Sequence, residues 1–264
     1  MIYLQGTIGY TIFTNNETNK KIIVFSDMHD DLPPCPFTNS IKISKWFENK
    51  FKTSKLLLEE VIRTKDMELE SLWDTSEHTN DLKILFLNNQ NNIEAVDIRP
   101  SLISFSWEIV EKSENKHIKL KKYFNEIVNF FNLKSDFMQN KLYIINNIIL
   151  KHFNKIRKKF YNYLITNKYL LNKTILHIYI NHQNILEDFN IILNDCMEWY
   201  ICMLVEIYKK NTIMIHAGLY HTEKVNKLLK ILYNHNEIYK RGINYLNDSI
   251  RDKYLCQPIN NNFI

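Results

Sequence analysis

Hydrophobic positions along the chain follow two regimes. The runs within "IIVFSDMHDD", "SKLLLEEVI", "IEAVDIRP" and "NTIMIHAG" are of strand length, lack polar alternation and close on charged or histidine residues. Parallel strands covered on both faces leave this trace. Between the third and fourth runs the period changes. In "KHIKLKKYFNEIVNFF", "SDFMQNKLYIINNIILKHFNKIRKKFYNYL" and "NILEDFNIILNDCMEWYICMLVEIYKK" apolar residues return every three or four positions, which predicts amphipathic helices.

Smaller signals fill in the rest. "IYLQGTIGYTIFT" reads as a strand or hairpin around Gly6 and Gly9 at the edge of the fold. The prolines of "DLPPCPF" impose irregular backbone, and "SIKISKWFENKF" predicts a short helix with Ile41, Trp46 and Phe47 turned inward. Further helices are expected from about Thr79 to Leu87 and over "HTEKVNKLLKILY", whose first turn holds Thr222 and Glu223, while Ser135 with Asp136 supplies an N-cap region for the long central helix. The last residues read as a loose tail. The whole predicts an α/β fold, an open and mostly parallel sheet with a large helical insertion. Residues 1–110 form the first part of the core with its N-terminal hairpin, 111–210 the helical insertion, and 211–264 the second part with the tail.

Composition changes this picture little. Of 264 residues 45% are hydrophobic, enough for one sizeable core, and glycine and proline are scarce at 4 and 5. The net charge of +5 comes from 34 basic residues set among 29 acidic ones. The densest basic piece, "KHFNKIRKKFYNYL", could meet phosphates or an anionic membrane, but its simplest reading is the solvated face of a helix. Neither nucleic acid nor membrane is therefore an expected partner, whereas the helical region offers a surface for a protein partner. Cys35, Cys196, Cys202 and Cys256 are scattered, with no Cys-x-x-Cys pair. They suggest a reducing compartment and, with no apolar stretch long enough for a membrane helix, a cytoplasmic location.

The candidate chemistry lies where the four predicted strands end. The first delivers Asp27, His29, Asp30 and Asp31, the second Glu59 and Glu60, the third Asp97 and Arg99, and the fourth His216 followed by Gly218 and His221. Open α/β sheets bind ligands outside the carboxyl ends of their strands. Histidine and carboxylate together can activate water or hold one divalent metal ion, for which His29 and His221 are the candidate ligands. Arg99 can clamp an anionic group or stabilise developing negative charge, or it forms a structural ion pair with Asp97. Asp97 and Trp107 are candidate substrate contacts, and of Glu59 and Glu60 alternation turns one away from any site. Gly218 is expected to permit a tight turn, with His216 in a structural role. The plain alternative at each place is a polar turn, a salt bridge or a strand-end histidine.

The set "IIVFSDMHDDL", "KLLLEEV", "EAVDIRP" and "IMIHAGLYH" resembles the superfamily of erythromycin esterase, ChaN-like and TIKI/TraB proteins. In that resemblance Asp27 and His29 match an acid-x-His motif, Glu59 or Glu60 the second-strand acid, Arg99 a middle polar residue, and Gly218 with His221 a late Gly-x-x-His motif. It implies an α/β fold with helical insertions and hydrolysis of a peptide, amide or ester bond. Ser26 departs from the glycine usual before the first acid, and about half the chain has no counterpart, so a catalytically silent structural or interaction protein is the alternative. The Asn- and Lys-rich composition is similar to that of proteins from large DNA viruses. "SDMHDD" also resembles the opening of calcineurin-like metallophosphoesterases, but their Gly-Asp-x-x-Asp and Asn-His motifs do not occur here.

Overall fold

A computed structural model describes residues 2–15, 17–28, 35–61, 77–99, 114–132, 147–248 and 256–259. His29, Asp30, Asp31, Trp107 and the Ser135–Asp136 cap region lie outside these described residues. The chain divides into two compact units. One comprises Met1–Glu60, Trp73–Val96 and Tyr208–Ile264, the other Val61–Leu72 and Asp97–Ile207.

The first unit is built on an open, mostly parallel six-stranded sheet. Its strands are β2 (Gly9–Asn15), β3 (Lys20–Asp27), β5 (Ser54–Val61), β6 (Ile93–Asp97), β7 (Thr212–Gly218) and β8 (Asn236–Gly242). They stand in the order β6-β5-β7-β3-β2-β8. The apolar runs form its centre: Ile22 to Phe25, Leu56 to Leu58 and Ile213 to Ile215 are buried, as expected of strands covered on both faces. β7, which comes last of these in the chain, lies parallel between β3 and β5, pairing Asp27 with Gly218 on one side and Leu58 with His216 on the other. This crossover brings three strand ends from distant parts of the sequence together.

On the β3 side the sheet turns antiparallel. β2 pairs with β3 as a hairpin and with β8 beyond it. Gly9 faces Gly242 across β2 and β8. A Cβ on Gly9 would come within 2.1 Å of the Ile243 carbonyl oxygen, so this approach requires glycine.

A second, three-stranded sheet has the order β4-β1-β9, from β1 (Ile2–Gln5), β4 (Ser40–Lys42) and β9 (Cys256–Ile259). Several expectations are corrected here. β1 does not share a hairpin with β2 but pairs parallel with β4 and antiparallel with β9, and the tail expected to be loose supplies a strand. Ile41 belongs to β4, so the short helix α1 (Ile43–Glu48) buries Ile43 with Trp46 and Phe47 instead. Cys35 is disulfide-bonded to Cys256 across a sequence separation of 221, which fastens β9 to the segment after β3. That bond departs from the expectation of a reducing compartment drawn from the scattered cysteines. Helices α2 (Glu77–Asn88) and α7 (Leu219–Ile231) complete the unit.

The second unit is helical, with α3 (Leu120–Phe131), α4 (Asn147–Thr166), α5 (Ile175–Asn181) and α6 (Gln183–Ile207). Its core is aromatic. Phe124 meets Phe160 and Phe189, and Phe153 meets Phe131 and Trp199, whose indole N–H donates to the Ile149 carbonyl. In α6 every residue from Cys196 to Val205 is buried, and burial, with the nearby charges of Glu198 and Glu206, pushes the Cys202 thiol well above its ordinary range. That thiol is inert at neutral pH. No helix among the described residues is long and apolar enough to cross a membrane.

Candidate active site

Asp27, Glu59 and His221 reach one end of the first unit by different routes. Asp27 is the last residue of β3, Glu59 lies one residue past the ladder position Leu58 on β5, and His221 sits in the first turn of α7, three residues after β7 ends. All three elements abut β7 because β7 fills the place between β3 and β5.

Glu59 holds this end together. Its Oε2 accepts the Gly218 N–H at 2.7 Å, while its Oε1 faces His221 Nε2 at 3.5 Å, within ion-pair range. The Glu59 side chain is only 10% exposed and His221 only 6%, so the pair is shielded from bulk water. Gly218 is the N-cap of α7 and offers no side-chain cap, and the Glu59 carboxylate stands at this positive end of the helix. Here the expectation for Gly218 is corrected. Its φ of −55° and ψ of 150° are ordinary, so its backbone N–H, not conformational freedom, is what the arrangement uses.

Asp27, which pairs with Gly218 across the β3–β7 ladder, is wholly buried and its Oδ1 accepts the Met28 N–H at 2.8 Å. Thr222, next to His221, is also wholly buried. Its hydroxyl lies 2.9 Å from Ser26 Oγ, 3.2 Å from the Leu219 carbonyl and 3.3 Å from the Gly218 carbonyl. This contact seats the first turn of α7 on β3 immediately before Asp27. The ring of the part-exposed Tyr220 meets His221 edge to face at 5.3 Å between centroids. Neither Thr222, Ser26 nor Tyr220 stands out as a site residue from sequence spacing. Only the position of Thr222 beside His221 in a first turn hints at its role.

The remaining candidates have these surroundings. His216 is buried, its Nε2 lies 3.1 Å from the Gly6 carbonyl and its ring meets Phe47 edge to face, so it fastens β7 to the turn between β1 and β2. Glu60 is half-buried on β5. Asp97 and Arg99 form a bidentate pair in the second unit, with Nε at 2.8 Å from Oδ1 and Nη2 at 2.9 Å from Oδ2, and Arg99 Nη1 donates to Asn194 at 3.1 Å. A substrate anion would have to displace Asp97 to use that guanidinium fork. Among the described residues no three His, Cys, Asp or Glu side chains are grouped to hold a metal ion. His29, the second candidate ligand, lies outside those residues.

Comparison of the chain with protein-family models, with curated proteins and with solved structures gives no match. The geometry of the strand ends is therefore what a functional reading rests on.

Proposed function

We propose that this chain is a hydrolase that activates water beside the carboxyl ends of β3, β5 and β7, acting on a peptide, amide or ester bond. The observation that carries the reading is the Glu59 carboxylate, fixed by the Gly218 N–H and turned to His221 Nε2. A carboxylate on one ring nitrogen sets the tautomer and orientation of the imidazole and stabilises the imidazolium that forms in turnover.

With Nε2–H facing Glu59, the proton is exchanged at Nδ1. As water loses that proton its oxygen attacks the substrate carbonyl carbon, and a tetrahedral adduct forms. Collapse of the adduct breaks the bond to the leaving nitrogen or oxygen, which takes the proton back from the imidazolium. Asp27, paired with Gly218 across the β3–β7 ladder, supplies a second, buried carboxylate.

A second reading draws on the complete burial of Asp27 and Thr222 and on the use of one Glu59 oxygen for a backbone bond. These features suit a hydrogen-bonded clasp between α7 and the sheet in a structural or interaction protein. The two readings separate in one experiment. Wild type, His221→Gln and Glu59→Gln are assayed with p-nitrophenyl esters and fluorogenic peptides, and their thermal unfolding is measured in parallel. Turnover by wild type that falls about 100-fold or more in His221→Gln, with the folded state retained, supports the hydrolase. Turnover absent from wild type, or equal in all three, overturns it.

A further inference from the structure

The segment from Asn147 to Leu186 contains seven lysines and arginines and no aspartate or glutamate, a formal +7 where the whole chain carries +5. A composition rich in lysine does not produce this by itself, because 29 acidic residues are distributed over the rest of the chain. The charge is concentrated on α4, which holds Lys151, Lys155, Arg157, Lys158 and Lys159.

Lys151, Lys155 and Lys158 project from one face of the helix, together with Asn154 and Asn162, and all five are exposed. At a rise of about 1.5 Å per residue the three lysines cover roughly 10 Å of helix axis. None of the three is held in an ion pair among the described residues. Lys159 on the flank of the stripe is paired with Asp195 of α6 at 2.6 Å, and α6 also carries the nearby acids Glu187 and Asp188. The Arg157 guanidinium lies over the Tyr161 ring, 5.6 Å from its centroid, and Tyr169, just beyond the helix, is 64% exposed.

We propose that this face of α4 binds the phosphodiester backbone of a nucleic acid, with the three lysines on phosphates and Tyr169 available to stack on a base. The charge complementarity is to a linear polyanion. A lipid surface fits less well, because the continuous apolar face of α4, formed by Ile149, Phe153, Ile156 and Phe160, is buried in the core, which leaves for insertion separate side chains at the two ends of the helix, Ile148 and Leu150 at one and Ile165 at the other. Between those ends the exposed stripe from Lys151 to Asn162 is lysine and asparagine, the chemistry of phosphate and base-edge contact rather than of membrane insertion. The site is independent of the strand-end chemistry proposed above.

The test is fluorescence anisotropy of the full chain with labelled single-stranded and duplex DNA of about 20 nucleotides, titrated between about 50 and 200 mM NaCl. Three phosphate contacts predict that log K falls against log salt with a slope of about −3 on duplex. The triple variant Lys151→Gln, Lys155→Gln, Lys158→Gln should lose at least about tenfold in affinity and most of that slope. A control at Lys121 and Lys122 on α3, both replaced by Gln, should stay within about twofold. Phosphatidylserine vesicles form the second arm. No binding to DNA at the lowest salt, binding that the triple variant leaves intact, or binding to vesicles alone overturns the proposal. All three lysines are exposed, and circular dichroism of the variant confirms that it folds before binding is read.

Discussion

Replacing Glu59 by alanine tests how the strand ends are held. The change removes the acceptor of the Gly218 N–H, a bond of 2.7 Å to a carboxylate that is 10% exposed, and the partner of His221 at 3.5 Å. A buried N–H left without an acceptor costs about 1–3 kcal/mol, and hydrogen bonds to charged groups contribute about 1.5–3 kcal/mol. Losing the contact with His221 adds to this, but its 3.5 Å separation and the desolvation of both groups keep that contribution small. Glu59→Ala is therefore expected to lower unfolding free energy by about 2–4 kcal/mol, a fall in Tm of about 5–10 °C. Glu59→Gln keeps an oxygen for the Gly218 N–H and should lose less than half as much. Urea unfolding followed by far-UV circular dichroism measures both. A Glu59→Ala protein within about 0.5 kcal/mol of wild type, or a glutamine variant as unstable as the alanine one, would refute the bridging role assigned to this carboxylate.

Two further expectations follow from the same unit. Thiol titration of denatured, unreduced protein should find two free thiols, Cys196 and Cys202, and four after reduction; by chain entropy a Cys35→Ser variant loses up to about 5 kcal/mol and should release β9 to rapid amide exchange. Burial, the hydrogen bond to Glu94 and the charge of Glu94 all push the Tyr208 phenol above its ordinary range. The folded-state value being the higher one, its contribution is complete below the unfolded value of about 10 and is lost as pH rises beyond it, so Tyr208→Phe should flatten the alkaline decline in stability.

The parts of the fold visible in sequence were those with a strong hydrophobic signal, continuous in the strands and periodic in the helices. The runs that became β3, β5 and β7 are buried along nearly their whole length, and the central helices carry aromatic stripes that form their own core. β8 escaped notice because "NEIYKRG" is an edge strand with mostly exposed side chains, and β9 because four residues carry no period. Neither can be separated from loop by pattern, since their partners lie far away in the chain. The Cys35–Cys256 bond has the same character, for a separation of 221 residues leaves no local trace.

At the strand ends, sequence position brought Asp27, Glu59 and His221 forward because all lie where apolar runs stop. It could not choose between Glu59 and Glu60, which depends on which side chain meets the Gly218 N–H, nor reveal that Thr222 meets Ser26 across 196 positions. Asp97 and Arg99 were legible as a same-sided pair on a strand end, and the structure adds the hydrogen bond from Arg99 to Asn194, 95 residues away.

The hydrolytic role of His221 is tested most directly by the rate at which purified protein cleaves a fluorogenic peptide or p-nitrophenyl ester, compared with that of His221→Gln at equal folded fraction. The expected result is measurable turnover in wild type and a loss of about 100-fold or more in the variant. No turnover in wild type across such substrates, or an unchanged rate in His221→Gln, would contradict it.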